Sequence, residues 1–89
     1  MKKIICSINP FNLYQSIQIA DTGAGTVEEV AKVPSDDLEE MLASISYENN
    51  ISQIILSGHP LVDQMAKDII EYSKETYDKN TKLKVEVIK

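Results

Sequence analysis

The hydrophobic pattern of this chain switches from a strand-like to a helix-like period at Pro34, and this switch limits the fold more than any other feature. Before Pro34, apolar residues alternate or run in short blocks, which is typical of strands. After it, two segments carry apolar residues three or four positions apart, which is typical of amphipathic helices. The pattern predicts a mixed α/β protein, and 89 residues have room for a single domain, 1–89.

Three strands are predicted before the switch, at residues 3–8, 13–20 and 27–33. The first has apolar residues on both faces, as expected for a central strand covered on both sides. The second alternates and places four residues on one face: Leu13, Gln15, Ile17 and Ile19. The third carries three charged side chains, which suit the edge of a sheet because they discourage pairing with other chains.

The second half predicts two helices separated by a strand. Ser35 is expected to cap the first helix, which Asn49 and Asn50 end. Residues 51–57 form a fourth strand with apolar residues on both faces, so it is also expected to be central. Pro60 precedes a second helix, and a last, edge-like strand begins near Leu83. The predicted element order is therefore β-β-β-α-β-α-β.

The run Asp21-Thr22-Gly23-Ala24-Gly25-Thr26 supports two interpretations. Asp-Thr-Gly-Ala resembles the catalytic loop of retroviral-type aspartic proteases, but that resemblance covers about nine residues and those enzymes are all-β dimers. The same letters between two strands predict a hairpin turn, with glycines at positive φ and Asp21 accepting turn hydrogen bonds. Because two periodic helices follow, we favour the hairpin turn.

Composition narrows the function classes. A net charge of −5 argues against binding to a phosphate backbone, which needs clustered Lys and Arg. The single cysteine, Cys6, lies in an apolar run and is expected to be buried and inert, which leaves no disulfide or cysteine zinc site. The chain shows neither a signal peptide nor an apolar run of about 20 residues, so a cytoplasmic, membrane-free protein is expected.

Two short motifs resemble the ribonuclease H-like superfamily, in its Holliday-junction resolvase-like branch. Residues 4–21 are similar to the first hairpin of that branch, with Ser7-Ile8-Asn9-Pro10-Phe11 at the position of its Ile-Asp-Pro-Gly motif. Residues 54–61, which include Ser57-Gly58-His59-Pro60-Leu61, are similar to its fourth strand and following turn. The resemblance spans nearly the whole chain. It implies a five-stranded mixed sheet in the order 3-2-1-4-5, with strand 2 antiparallel and two helices.

The catalytic carboxylates of that superfamily are missing from the matching positions. Its chemistry needs several carboxylates that hold two divalent ions about 4 Å apart. Asn9 stands where the first belongs, Ser57-Gly58-His59 stands where the next belongs, and Asp63 alone cannot build the site. We therefore predict no catalytic residues, no metal site and no cofactor.

The carboxyl ends of the parallel strands are the best candidate site, because ligands of open α/β sheets prefer that edge. The candidate residues there are Asn9, Phe11, Asn12, Ser57, Gly58, His59 and Asp63. His59 is expected either to cap the helix or face solvent, or to contact a ligand or partner, and we favour the first of these two roles.

Three functions stay open from the sequence. The first is a non-catalytic module that works by protein–protein contact or self-association, with nucleic acid disfavoured but not excluded. The second is a divergent resolvase-like nucleic-acid-processing protein. The third is a binder of a small ligand at the carboxyl edge.

Overall fold

A computed structural model describes all residues, Met1–Lys89. It is a five-stranded mixed sheet with two helices, in the chain order β1 (Lys2–Ser7), β2 (Tyr14–Asp21), β3 (Thr26–Pro34), α1 (Leu38–Asn49), β4 (Gln53–Ser57), α2 (Val62–Thr76) and β5 (Lys84–Ile88). The strands lie in the order β3-β2-β1-β4-β5. β2 is antiparallel to both of its neighbours, whereas β1, β4 and β5 are parallel. The predicted topology is confirmed.

Both helices lie on the same face of the sheet. The connections β3-α1-β4 and β4-α2-β5 both cross the sheet in the same direction, and right-handed crossovers then place their helices on one side. The two helices pack against each other there. This arrangement corrects the expectation that the central strands are covered on both sides. Ile5 and Ile55, paired in register on the open face, stay partly exposed.

The core lies between the helices and the covered face of the sheet. Ile4 and Cys6 of β1 alternate with the partly exposed Ile5, and Ile54 and Leu56 of β4 match them in register. Ile69 of α2 is fully buried against this layer. Cys6 is buried as predicted, and burial raises the pKa of its thiol to about 11, which keeps the thiol protonated and inert.

The start of α1 differs from its prediction. Ser35 does not cap the helix through its side chain, because residues Ser35–Asp37 form a short 3₁₀ turn ahead of Leu38. The Ser35 hydroxyl instead donates to the carbonyl of Asn12 at 2.8 Å. The chain leaves β3 close to the β1–β2 loop, so the hydroxyl finds a partner in that loop.

The end of α1 explains why β4 starts later than predicted. Asn50 adopts the left-handed conformation at φ 53°, and the Ile51 amide donates back to the Ser46 carbonyl at 3.0 Å. Ile51 is therefore part of the helix cap rather than the first residue of a strand. The predicted stop at Asn49 and Asn50 is confirmed.

β3 forms one edge of the sheet and contains a β-bulge. Ile17 pairs with Ala31, but Gln18 pairs with Glu29, so Val30 is left over on β3. A bulge and exposed charges both hinder another chain from pairing with this edge.

Candidate functional site

The predicted residues at the carboxyl edge fall into two groups. We call the loops after β1 and β4, together with the ends of β3 and β5, the carboxyl edge. Gly58, His59 and Asp63 line one open cleft of about 350 Å³, together with the chain end at Ile88 and Lys89. Asn9, Phe11 and Asn12 lie in the β1–β2 loop and do not line this cleft. The two groups adjoin at the seam between β1 and β4, where the Ile8 amide donates to the Ser57 carbonyl at 2.8 Å.

A buried glutamine holds the β1–β2 loop in place. Gln15 of β2 is 3% exposed, and its Oε1 accepts a hydrogen bond from the Asn9 amide at 3.0 Å. Its Nε2 lies 2.7 Å from the Asn9 carbonyl, 3.2 Å from the Asn12 carbonyl and 3.0 Å from Ser35 Oγ. A buried amide with several partners fixes the geometry around it, because each broken bond would leave a desolvated polar group. The loop is therefore tied to both β2 and the end of β3.

Asn9 acts within its own loop. Its Oδ1 accepts a hydrogen bond from the Phe11 amide at 3.0 Å, which is an Asx turn. The Asn12 amide donates to the Asn9 carbonyl at 3.0 Å and closes the same turn. The Asn9 side chain thus shapes its own loop.

The tip of this loop is apolar and exposed. Phe11 is 94% exposed and Leu13 is 82% exposed, which are unusual values for such large apolar side chains. Tyr14, Leu61 and Ile88 are each more than half exposed around the same edge. Five of the exposed large apolar side chains of this protein therefore gather at one end of the sheet.

The β4–α2 loop depends on a glycine and a local histidine contact. Gly58 has φ +89°, and a Cβ on it would lie 2.1 Å from the Ile8 carbonyl oxygen. His59 Nδ1 accepts a hydrogen bond from the Leu61 amide at 2.9 Å, just ahead of α2. The contact is local, but it is not the predicted helix cap, because the Leu61 amide lies ahead of the first helical residue, Val62, and no side chain caps α2.

Asp63 is paired with the end of the chain. Its Oδ2 lies 2.6 Å from the Lys89 ammonium, on an exposed surface. No three His, Cys, Asp or Glu side chains lie in an arrangement that could hold a metal ion. The chemistry on hand at the carboxyl edge is therefore hydrogen bonding within loops, one surface ion pair and exposed apolar area.

Beside this edge, four carboxylates cluster between the start of α1 and the middle of α2. Asp36, Glu39, Glu40 and Asp68 surround a shallow depression with Tyr72. The pKa of Glu39 is raised to about 7, first by burial, then by the hydrogen bond and negative charge of Asp68, and last by the charge of Glu40. The Oε2 atom of Glu39 is buried without a hydrogen-bond partner. Two ionised carboxylates cannot donate to each other, so this pair favours a protonated Glu39.

The Asp21-containing run lies at the opposite end of the sheet. Asp21 Oδ1 accepts hydrogen bonds from the amides of Gly23 at 3.0 Å and Ala24 at 3.3 Å, and the Ala24 bond is the main reason that the pKa of Asp21 is lowered. The run is the β2–β3 turn, as predicted, and only Gly25 of its two glycines has positive φ, at 69°. A positive φ was predicted for both glycines of the run, and it is found at Gly25 alone.

Sequence reasoning missed Gln15 and Ser35, which build the loop, and Leu13, Leu61 and Ile88, which widen the exposed apolar edge. The position of Gln15 could have been recognised from the sequence, because it places a side-chain amide on the otherwise apolar face of β2. A buried amide in such a stripe needs hydrogen-bond partners, and the nearest unpaired backbone groups belong to the adjacent loop.

No protein-family model matches this chain. No curated protein matches it either. Among solved structures, it is similar to Pelota from Archaeoglobus fulgidus, with 15% identity and a TM-score of 0.58. The similarity covers 98% of this chain and 26% of the Pelota chain, so this chain spans about a quarter of that protein's length. At that identity the similarity shows the fold alone. Neither helix has the length and apolarity that crossing a bilayer would require.

Proposed function

We propose that this chain is a non-catalytic protein-interaction or assembly module of ribonuclease H-like fold, and that its partner binds the carboxyl edge. One observation carries the proposal: three candidate polar side chains at this edge are engaged within the chain, whereas the large apolar side chains are exposed. Asn9 and His59 hold their own loops, and Asp63 pairs with Lys89. Phe11 and Leu13 have no such internal use.

The rigidity of the β1–β2 loop supports a binding role. A flexible loop loses entropy when a partner fixes it, and a loop that is already ordered avoids much of that cost. Gln15 and the Asn9 turn order this loop before any partner arrives. An exposed aromatic ring on an ordered loop is the kind of residue that supplies most of the free energy at protein interfaces.

The fold supports the family part of the proposal. The sheet order 3-2-1-4-5 with β2 antiparallel is the order that the ribonuclease H-like resemblance implies. Pelota, whose crystal structure reveals inter-domain structural plasticity, contains a similar fold within a chain about four times as long. In Pelota the similar fold is one part of a longer chain, and a role as one part of an assembly is consistent with this.

The charge of the edge suggests the partner's chemistry. Asp36 and Asp37 follow β3 next to Leu13 and Tyr14, and Asp36 lines a small pocket with both. The whole chain carries a net charge of −5, which opposes contact between two copies. We therefore assign the edge to a different protein that presents an apolar side chain flanked by Lys or Arg.

Selection of random peptides displayed on phage tests this assignment. We expect enriched peptides to combine an aromatic or aliphatic residue with adjacent basic residues, and to lose most binding to Phe11→Ala and Leu13→Ala proteins. Val27→Ala is the matched control, because Val27 is also exposed but lies at the other end of β3. All three changes remove exposed side chains and should leave stability nearly unchanged.

Two results would contradict the proposal. One is enrichment that is equally sensitive to Val27→Ala. The other is magnesium-dependent cleavage of duplex or branched DNA that Asp63→Ala abolishes, which would favour the resolvase-like alternative. If light scattering shows a dimer and Phe11→Ala dissociates it, the partner would be a second copy of this chain and not a different protein.

The cleft at His59 favours a second candidate function, the binding of a small ligand. Its volume of about 350 Å³ lies within the range of small-molecule sites, and it is lined by both polar and apolar groups. A rise in melting temperature with a panel of metabolites, lost on His59→Ala, is the result expected for this candidate.

A further inference from the structure

Lysines from the two ends of the sequence meet in one cleft at the end of the sheet opposite the carboxyl edge. The cleft has a volume of about 380 Å³ and is lined by Met1, Lys2, Ser52, Gln53, Lys82 and Lys84. We call it the lysine cleft. It belongs to neither the carboxyl edge nor the proposed protein contact.

The sheet order creates this cleft. β1, β4 and β5 begin side by side and run parallel, so the first residues of the chain lie at the same end of the sheet as residues about 80 positions later. Neighbouring strands lie about 4.8 Å apart, which separates the backbones of Lys2 and Lys84 by about 10 Å. The Lys84 amide donates to the Ser52 carbonyl at 2.8 Å, which fixes the register of β4 and β5 where they line the cleft.

The β2–β3 turn holds Met1, which lines the lysine cleft beside Lys2. The amide and the hydroxyl of Thr22 both donate to the Met1 carbonyl at 3.0 Å. Asp21 Oδ1 lies 3.8 Å from the amino group of Met1. The turn that resembles a protease loop thus anchors the first residue beside Lys2.

The positive charge of the lysine cleft is not balanced within the protein. No acidic residue lines it, and its lysines form no ion pair within 4.0 Å. Asp21 offsets one charge, since it contacts the Met1 amino group and lies within electrostatic reach of Lys2. Three lysines against one nearby carboxylate leave a local surplus of positive charge, in a chain whose net charge is −5. Like charges held in one cleft repel each other, and an anion between them relieves that repulsion.

We propose that the lysine cleft binds a compact anion that bears phosphate groups. Lysine ammonium groups act as point charges and suit phosphate, whereas carboxylate recognition favours the planar fork of arginine, which this chain lacks. Ser52 and Gln53 add neutral hydrogen-bonding groups to the cleft. No aromatic side chain lines the cleft, so a nucleobase would find no surface on which to stack. The ligand is therefore recognised by its phosphates.

Titration with inorganic pyrophosphate, followed by NMR amide shifts, tests the site in the full chain. We expect saturable shifts concentrated at Ser52, Gln53 and their neighbours. The double variant Lys82→Ala/Lys84→Ala should weaken binding at least about tenfold, because two charge-assisted contacts are lost. The matched control Lys32→Ala/Lys67→Ala changes the net charge equally at exposed lysines outside the cleft and should weaken binding less than about threefold.

The proposal is overturned by the absence of saturable binding at 10 mM pyrophosphate, a concentration on the order of the weakest specific sites. It is also overturned if both double variants weaken binding equally, because the effect would then be one of overall charge. A ten-nucleotide oligothymidylate tests the other source of phosphate, and we expect it to bind no tighter than pyrophosphate. Much tighter, cleft-dependent binding of the oligonucleotide would overturn the assignment to a compact anion.

Discussion

Replacing Gly58 by alanine should be one of the most damaging small changes in this protein. The residue has φ +89°, where a side chain costs about 1–2 kcal/mol. The new Cβ would also lie 2.1 Å from the Ile8 carbonyl oxygen, whereas carbon–oxygen contacts are normally about 3.3 Å. Relief requires the end of β1 and the β4–α2 loop to separate by about 1 Å.

That separation acts on the seam between the two central parallel strands. The Ile8 amide donates to the Ser57 carbonyl at 2.8 Å, and this bond stretches when the strands move apart. A lost buried hydrogen bond costs about 1 kcal/mol, and the packing of the buried Ile8 side chain is disturbed as well. We expect the free energy of unfolding to fall by about 4 kcal/mol in total.

The other two glycines provide matched controls. Gly25 has φ +69° with nothing within 4 Å of its Cβ position, so Gly25→Ala tests backbone strain alone and should cost about 1 kcal/mol. Gly23 lacks a positive φ, and its Cβ would make an ordinary 3.4 Å contact with Asp21, so Gly23→Ala should change stability by less than about 0.5 kcal/mol. The expected order of damage is Gly58, then Gly25, then Gly23.

Urea unfolding followed by circular dichroism measures this series. The midpoints should separate while the slopes stay equal, because the surface exposed on unfolding does not change. If Gly58→Ala lacks a folded baseline, the series can be measured in an osmolyte that stabilises the folded state of all three variants. A Gly58→Ala protein no less stable than Gly25→Ala would refute the steric argument.

Three further predictions concern single side chains. The raised pKa of Glu39 makes the fold lose stability as pH rises from about 4.5 through about 7, because the ionised side chain is disfavoured in the folded state. Glu39→Gln removes this charge, so it should stabilise the protein by about 1 kcal/mol at pH 8 and leave its stability unchanged near pH 4.5. Thermal unfolding across that range checks this, with the exposed Glu71→Gln as control, and an equal gain in both variants would contradict it. Gln15→Leu should cost about 2–4 kcal/mol and speed amide hydrogen exchange in the β1–β2 loop; unchanged exchange there would show that other contacts order the loop. Asp21→Asn should keep the turn and alter the melting temperature little, since an amide oxygen can accept the same two bonds; a large loss of function would reopen the aspartic protease interpretation.

The element order was predictable because the two hydrophobic periods differ so clearly on either side of Pro34, whereas the strand order 3-2-1-4-5 was predicted from the ribonuclease H-like resemblance. The one-sided covering was not, because Ile5 and Ile55 suggest a second buried face. The covering follows from the direction of both crossovers in the predicted sheet order, whereas the expectation was drawn from the apolar pattern of single strands. The Ser35 error also came from local pattern, since its hydroxyl partner lies in a loop 23 positions earlier.

The position of the candidate site could be predicted from the sequence, but the hydrogen bonds of its side chains could not. Asn9 and His59 were expected at the carboxyl edge, and they lie there. Their local hydrogen bonds depend on loop geometry that no spacing rule supplies. The lysine cleft was harder still, because Lys2 and Lys84 are neighbours only after the sheet has formed.

The seam between β1 and β4 also has a consequence for the order of folding. β1, β2 and β3 are joined by short turns, so their pairing closes small loops and can form early. The parallel pairing of β1 with β4 joins residues about fifty positions apart and must bring α1 into place at the same time. We expect this closure to limit the folding rate. Because the β2–β3 turn forms before it, a change at Gly25 should mainly slow folding, whereas a change at Gly58, which lies at the seam itself, should alter both folding and unfolding.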